Sequence, residues 1–252
     1  MNFVKDKVTT QETYGLFIAS GAVSPTEIAA RSGFDWLLLD MEHGLGSEQE
    51  TLQQINAMRT TPCAPIVRIP FLRTEIIKRV LDFGAAGIMC PMLENAEQAR
   101  QLVQAMKYPP EGIRGLTGNS AASEFGFSFK DYFKTVNQSL VCVAQIENAA
   151  AVENIEEIAA VPGIDVLFIG HSDLSLNLGV YGKFDSPEMI HAEEVVLKAA
   201  QKYGKIAGML LKDSMDPAVY RAKGFQFLAL GTDHGCMKQA FGAMVKRATA
   251  SK

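Results

Sequence analysis

Apolar runs of four to seven residues recur from one end of the chain to the other. Between most of them lie longer stretches with helical spacing. The strand-like runs are Tyr14–Ala19, Asp35–Asp40, Pro65–Ile69, Gly87–Cys90, Leu140–Ile146, Asp165–Ile169, Ile206–Leu210 and Gln226–Leu230, eight in all. Ser24-Pro25-Thr26-Glu27 predicts a helix start, with Ser24 as cap and Pro25 in the first turn. Ser47 and Glu50 repeat the capping-box spacing before a helix over Thr51–Arg59. Asn95 caps a helix that runs through Met106, and Asn148–Ala160 and Ser186–Tyr203 are further helices. Gly33, Gly84, Gly163, Gly204 and Gly224 stand where such helices, or the turns before the next strand, close.

Strands alternating with helices imply a parallel sheet, and eight such units in 252 residues imply one closed (β/α)8 barrel spanning 1–252. A doubly wound open sheet would carry a glycine-rich nucleotide loop after its first strand. That position reads Ala19-Ser20-Gly21-Ala22, without the GxGxxG spacing. The segment Pro109–Asp131, rich in Gly, Ser and Phe, breaks the regularity and reads as an extended loop covering the active site.

Composition narrows the function. A chain 48% hydrophobic and 21% charged can bury a full core. Net charge is −4, the pI is about 5.6, and no long basic run occurs, so nucleic acid is not an expected partner. Cys63, Cys90, Cys142 and Cys236 have no CxxC spacing; each lies in or near an apolar segment and is expected as a buried free thiol. Met1–Lys7 holds no stretch apolar enough for a signal peptide or membrane span, and a cytoplasmic protein is expected.

The polar residues at the strand ends carry the chemistry. Asp40, Glu42 and His43 follow the second strand, Arg68 ends the third, Gln145 and Glu147 end the fifth, Asp173 follows the sixth, and Asp233 and His234 follow the eighth. In a barrel all of these face one mouth, and such a gathering is costly unless it serves a common purpose. Glu147 and Asp173 are the candidate metal pair, suited to a hard cation such as Mg²⁺ or Mn²⁺. Equally, Glu147 could serve the dipole of the helix that follows it, and Asp173 could cap the turn Leu174–Leu178. His43 could be a general base or a solvated loop histidine. Arg68 could meet a substrate carboxylate or pair internally with Asp40 or Glu42. Gly170–Ser175 could offer backbone N–H groups to the same carboxylate. His191 is expected to be exposed. Schiff-base chemistry needs a lysine aimed into the barrel. Lys205 starts strand seven, at the other mouth, and Lys212 lies beyond its end beside Asp213, as a solvated loop pair would.

Taken together these motifs resemble the HpcH/HpaI family of class II pyruvate aldolases. The resemblance rests on Glu27–Trp36 with Asp40-Met41-Glu42-His43, on Pro65-Ile66-Val67-Arg68, and on Tyr108–Gly115. It continues in Gln145-Ile146-Glu147 and Ile169-Gly170-His171-Ser172-Asp173-Leu174-Ser175. It implies a (β/α)8 barrel of the phosphoenolpyruvate/pyruvate type that cleaves 4-hydroxy-2-oxo acids to pyruvate and a short aldehyde. It implies a divalent metal (Mg²⁺ or Mn²⁺, with Co²⁺ as a further candidate) on Glu147 and Asp173. His43 would be the base with Asp40 as its supporting carboxylate, and Arg68 the pyruvate-binding arginine. Gln145 would contact the 2-oxo acid, the Ser172–Asp173 backbone would cradle its carboxylate, and Leu210 would be an apolar wall. It further implies a homo-oligomer, a hexamer of three dimers that exchange the C-terminal helix Gly235–Thr249, whose Met237, Ala240, Phe241 and Met244 form an apolar stripe.

The chain departs from the family pattern at His171, where proline is usual, and over Gly118–Ser123. Both differences bear on the aldehyde end of the substrate. Two rivals stand beside this reading: a lyase for malyl- or citramalyl-CoA-type substrates, which needs a basic groove not evident here, and a non-catalytic 2-oxo acid binder, which needs no base.

Overall fold

In a computed structural model that describes residues 4–212 and 215–250, eight parallel strands close into a barrel in sequence order. They are β1 (Thr13–Ile18), β2 (Trp36–Asp40), β3 (Ala64–Arg68), β4 (Gly87–Cys90), β5 (Val141–Ile146), β6 (Val166–Ile169), β7 (Ile206–Leu210) and β8 (Phe225–Thr232). All eight expected runs are strands, most within a residue of their expected ends. Asp213, expected beside Lys212 in a loop, lies outside the described residues.

Alternation along each strand divides the core in two. Phe17, Trp36, Leu38, Ile66, Val143 and Phe168 point into the barrel, where Trp36 stacks on Phe227 with ring centroids 3.9 Å apart. Their sequence neighbours, such as Leu37, Leu39, Val67 and Ala144, meet the surrounding helices. Because both faces are buried, the strands read as continuous apolar runs. Gly15 has no side chain because the Trp36 ring fills the space its Cβ would take.

The N-terminal mouth is closed by the helix Lys5–Thr10, which the hydrophobic pattern of the chain does not signal. Val4 and Val8 join the inner core, and the helix is fastened by ion pairs from Lys5 to Asp165 at 2.9 Å and from Lys7 to Asp35. Lys205 also stands at this end, donating to the carbonyls of Val161 and Ile164.

The helix starts agree with the sequence where a side chain is free to cap. Asn95 accepts from the Gln98 amide at 3.0 Å, and Ser47 and Glu50 form the expected capping box. Ser24 does not cap: the helix begins at Val23, with Ala22 at its N-cap. The helix expected over Asn148–Ala160 is broken at Asn154 into Ala149–Glu153 and Ile155–Ala159, and the Asn154 amide donates to the Glu94 carbonyl at 2.9 Å. Cys236 is exposed on the C-terminal helix, whereas Cys63, Cys90 and Cys142 are buried as expected.

The segment Pro109–Asp131 does not line the cavity at the C-terminal mouth. It follows a helix, Ala96–Met106, so it emerges at the N-terminal ends of the strands and lies on the outside of the helix Thr74–Phe83. Arg114 fixes it there, donating to Asp82 at 2.7 Å and to the Tyr132 hydroxyl at 3.0 Å, with Tyr108 under its guanidinium. Loops that build a barrel mouth follow strands, and this one follows a helix. It also contains a turn of 3₁₀ helix, Ala121–Gly126, and the start of the helix Phe129–Ser139.

Candidate active site at the C-terminal mouth

The file of side chains that points into the barrel turns polar at its top. On β2 the file runs Trp36, Leu38, Asp40; on β3, Ala64, Ile66, Arg68; on β5 it continues from Val141 and Val143 to Gln145 and then Glu147. Asp40 pairs in register with Arg68, so their side chains leave the sheet at one level. Above them opens a cavity of about 190 Å³, lined among others by His43, Ser172, Asp173, Leu210 and Lys212. The structure thus gathers most of the expected residues at one site, with Glu147 buried just beneath.

Arg68 is buried and doubly paired. Its Nε and Nη2 donate to the Asp40 carboxylate at 2.9 and 2.6 Å, and its Nη1 lies 3.0 Å from Glu42 Oε2. The Phe17 ring lies 5.4 Å from the guanidinium. The internal pairing open in the sequence is therefore present, with both carboxylates at once. Asp40 Oδ1 also accepts the backbone amides of Glu42 at 3.1 Å and His43 at 3.2 Å. It steadies His43 through the main chain and does not touch the imidazole, because the chain turns back directly after β2. The ring itself projects outward, 64% exposed, with Glu42 Oε2 3.8 Å from Nε2.

Glu147 does not serve the helix dipole. Its Oε1 accepts the Met92 amide at 2.7 Å, and its Oε2 accepts from Gln145 Nε2. Met92 holds a left-handed φ of 53° to present that amide, a strained conformation of the kind that collects at functional sites. Nor does Asp173 cap the following helix, His171–Asn177, whose N-cap is Gly170; Asp173 is exposed toward the mouth.

The donor set suits a divalent cation. Burial pushes the Glu147 carboxyl up from its ordinary 4.5 to about 7; Glu42 and Asp173 push the same way, against the Met92 amide and Arg68. Burial raises Glu42 as well; Arg68 opposes this, and Asp40 and Asp173 add to it. Gln145 Oε1 is buried with no hydrogen-bond partner. A Cβ at Gly170 would lie 2.5 Å from Glu147 Oε2, so only glycine leaves that oxygen clear. Converging carboxylates with a spare oxygen donor are what a hard cation requires. Among the described residues no cluster of three or more His, Cys, Asp or Glu side chains is placed to hold a metal.

The raised Glu147 predicts how the chelator-treated protein responds to pH. Between pH 4.5 and about 7 the native state keeps a proton that the unfolded chain has lost. Glu147 therefore favours the fold most below pH 4.5, and that advantage is lost as pH rises through 7. The expected loss is on the order of 3 kcal/mol. Urea unfolding at pH 5 and pH 8, for the wild type against Glu147→Gln, measures it; the same pH slope in both would refute the assignment.

Several contributors were not singled out by sequence. The Met92 amide and the Phe17 ring came only with the fold. Asp233, grouped by sequence with the strand-end residues, is a fastener: its carboxylate accepts the amides of Ala19, Ser20 and His234 at 3.0, 3.1 and 2.8 Å. His191 is exposed, as expected. His171 is buried, its Nε2 2.9 Å from Glu193 Oε1, which places it between the mouth and the outer helix Pro187–Tyr203.

A family model for HpcH/HpaI aldolase/citrate lyase matches residues 13–240. The chain belongs to this family. It is accordingly a carbon–carbon lyase. A hydroxypyruvate/pyruvate aldolase of Chromohalobacter salexigens is 38% identical over 234 residues, 93% of this chain and 92% of that one. A 5-keto-4-deoxy-D-glucarate aldolase of Klebsiella pneumoniae is 37% identical over 230 residues, 91% and 90% of the two chains. The crystal structure of an HpcH/HpaI aldolase/citrate lyase family protein from Burkholderia cenocepacia superposes with a TM-score of 0.93 at 31% identity, covering 98% of this chain and 99% of that one. This HpcH/HpaI barrel has no helix long and apolar enough to cross a membrane among its described residues.

Proposed function

We propose that this protein cleaves 4-hydroxy-2-oxo acids into pyruvate and a short aldehyde, and joins them in reverse, with a divalent cation held by Glu147 and Asp173. The observation that carries the metal-dependent reading is the buried Glu147 carboxylate, positioned by the Met92 amide and Gln145, with the unpartnered Gln145 Oε1 beside it and Gly170 leaving its Oε2 clear. Relatives named as hydroxypyruvate/pyruvate and 5-keto-4-deoxy-D-glucarate aldolases support pyruvate as the shared half.

The bound ion, Mg²⁺ or Mn²⁺ with Co²⁺ as a further candidate, would supply Lewis-acid stabilisation for the negative charge that develops on the 2-oxo oxygen. The remaining work falls to the chain. Gln145, beside Glu147, has a free Oε1 that can accept a hydrogen bond from a substrate hydroxyl. Arg68, fixed by Asp40 and Glu42, holds a positive charge against the developing oxyanion without needing to reorganise. His43, exposed at the rim, takes the proton from the 4-hydroxyl. The C3–C4 bond then breaks, its electron pair goes to the pyruvate enolate, the aldehyde departs, and C3 is protonated. Leu210 and Phe168 form the apolar wall of the cavity.

The same reading includes a homo-oligomer. On the helix Asp233–Thr249, Phe241, Met244 and Val245 are 63%, 59% and 64% exposed, and a second copy would cover that stripe.

Exchange of solvent deuterium into the methyl group of pyruvate tests the function with no aldehyde present. Exchange that requires Mg²⁺ or Mn²⁺ and stops with EDTA is expected. Absence of exchange with every divalent ion tried would overturn the proposal.

A further inference from the structure

The helix His171–Asn177 carries different side chains on its two faces. His171, Leu174 and Ser175 are buried, whereas Ser172 and Asp173 are exposed, at the mouth. That spacing lets one face of a helix pack while the other looks out. Leu174 joins the outer core, and at the far end Asn177 accepts the Ala149 amide at 2.8 Å. In the first turn, where Asp173 sits, the packed face is held by His171.

His171 is anchored from behind. Its Nε2 lies 2.9 Å from Glu193 Oε1, and Glu193 Oε2 accepts from Lys223 Nζ at 3.0 Å. The Phe184 ring stands edge-on to the imidazole, with centroids 6.0 Å apart. Imidazole and carboxylate are both buried, and they tie the first turn to the helices Pro187–Tyr203 and Pro217–Lys223. For packing alone a histidine is a poor choice here. Among the described residues its Nδ1 has no hydrogen-bond partner, and a buried orphan of this kind costs about 1–3 kcal/mol. What the ring offers, and an apolar side chain does not, is a directed bond to one fixed partner. In front, Gly170 abuts the candidate metal carboxylate: a Cβ there would lie 2.5 Å from Glu147 Oε2 and 3.0 Å from Gln145 Nε2. The turn that carries Asp173 is thus wedged between Glu147 and Glu193.

We infer that His171 and Glu193 are positioning residues that fix Asp173 relative to Glu147. This rests on the two-carboxylate metal reading above. Neither residue is given a ligand bond or a proton to move; they act through the backbone between residues 171 and 173. A small hard cation demands near-ideal ligand distances, so a turn that drifts loses affinity without losing the fold.

Titration of Mn²⁺ into chelator-treated protein, with no pyruvate present, tests this on His171→Ala, Glu193→Leu and His171→Pro. In His171→Ala, Glu193 keeps Lys223, so no buried carboxylate is left unpaired. The Kd for Mn²⁺ is expected to rise about 10-fold in His171→Ala, and as much in Glu193→Leu, whose side chain belongs to an outer helix. His171→Pro is expected to restore most of the affinity by fixing the turn through the backbone. Residue 171 opens the helix, where proline pre-sets φ and no intrahelical bond is lost, and Gly170, at φ −88° and ψ 82°, already has the non-helical backbone that precedes a proline. The unfolding midpoint in EDTA, measured alongside, separates position from stability: an anchor that merely stabilised the fold would lower the midpoint and leave the Kd where it was. Should His171→Ala fail to fold, Glu193→Leu carries the same expectation. An unchanged Kd in either folded variant overturns the inference. So does a weakening that His171→Pro leaves uncorrected, which would make the imidazole itself the required group. Wild-type protein that binds no Mn²⁺ would instead overturn the metal reading.

Discussion

Replacing Glu147 by Gln is expected to lower metal-dependent pyruvate exchange by about 10³-fold, the scale of losing a principal electrostatic stabiliser of a developing oxyanion. Gln keeps the size of Glu and keeps an acceptor for the Met92 amide, so the packing around residue 147 survives. What it removes is the charge. Calorimetric titration with Mn²⁺ should show binding lost or strongly weakened, while the unfolding midpoint in EDTA at pH 8 stays level or rises, because a buried carboxylate is no longer ionised against its surroundings. Glu147→Gln protein that still binds Mn²⁺ and turns over at a comparable rate would sink the metal assignment.

Arg68→Met should unfold the protein more readily and inactivate it together. The guanidinium lies between Asp40 and Glu42, all three buried or half-buried at the top of the barrel. Taking away the shared cation strands two carboxylates in an apolar setting, and breaking a buried pair in this way costs about 3–5 kcal/mol. Denaturant unfolding at neutral pH measures the loss. Adding Asp40→Asn to Arg68→Met should recover part of it, since one stranded charge goes; the double-mutant cycle then isolates the pair. A loss below about 1 kcal/mol would mean that water relieves the cluster and the pairing contributes little.

The two variants separate what the site residues do. On the proposed reading Glu147 would work against stability and for chemistry, and Arg68 would serve both. That split follows from surroundings: Glu147 is buried, with like charges near it, whereas Arg68 is buried among opposite ones.

Much of this was written in the strands themselves. A parallel barrel buries both faces of every strand, so Trp36–Asp40, Ala64–Arg68 and Val141–Ile146 appear as apolar runs that turn polar at the C-terminal end. Period-two alternation then places Asp40, Arg68, Gln145 and Glu147 on the inner side without any knowledge of tertiary contacts. The closed barrel, the mouth that carries the site and most of its lining are legible at that level.

What the sequence left open depended on which elements stand side by side. Arg68 had a substrate carboxylate as its first reading and an internal partner as the alternative until the level register of β2 and β3 set it against Asp40 and Glu42. Asp40 is close to His43 in the chain, yet the turn after β2 gives it the backbone amide and leaves the imidazole outward. The Pro109–Asp131 segment suggested a cover for the site from its composition alone, but its place after a helix sends it to the other end of the barrel. The contact of Lys212 with Ser172, forty residues away in the chain, likewise comes only with the closed ring. Local pattern determines which residues point inward, because a strand alternates every second residue; only closure of the ring decides which charges meet, because those partners come from strands distant in sequence.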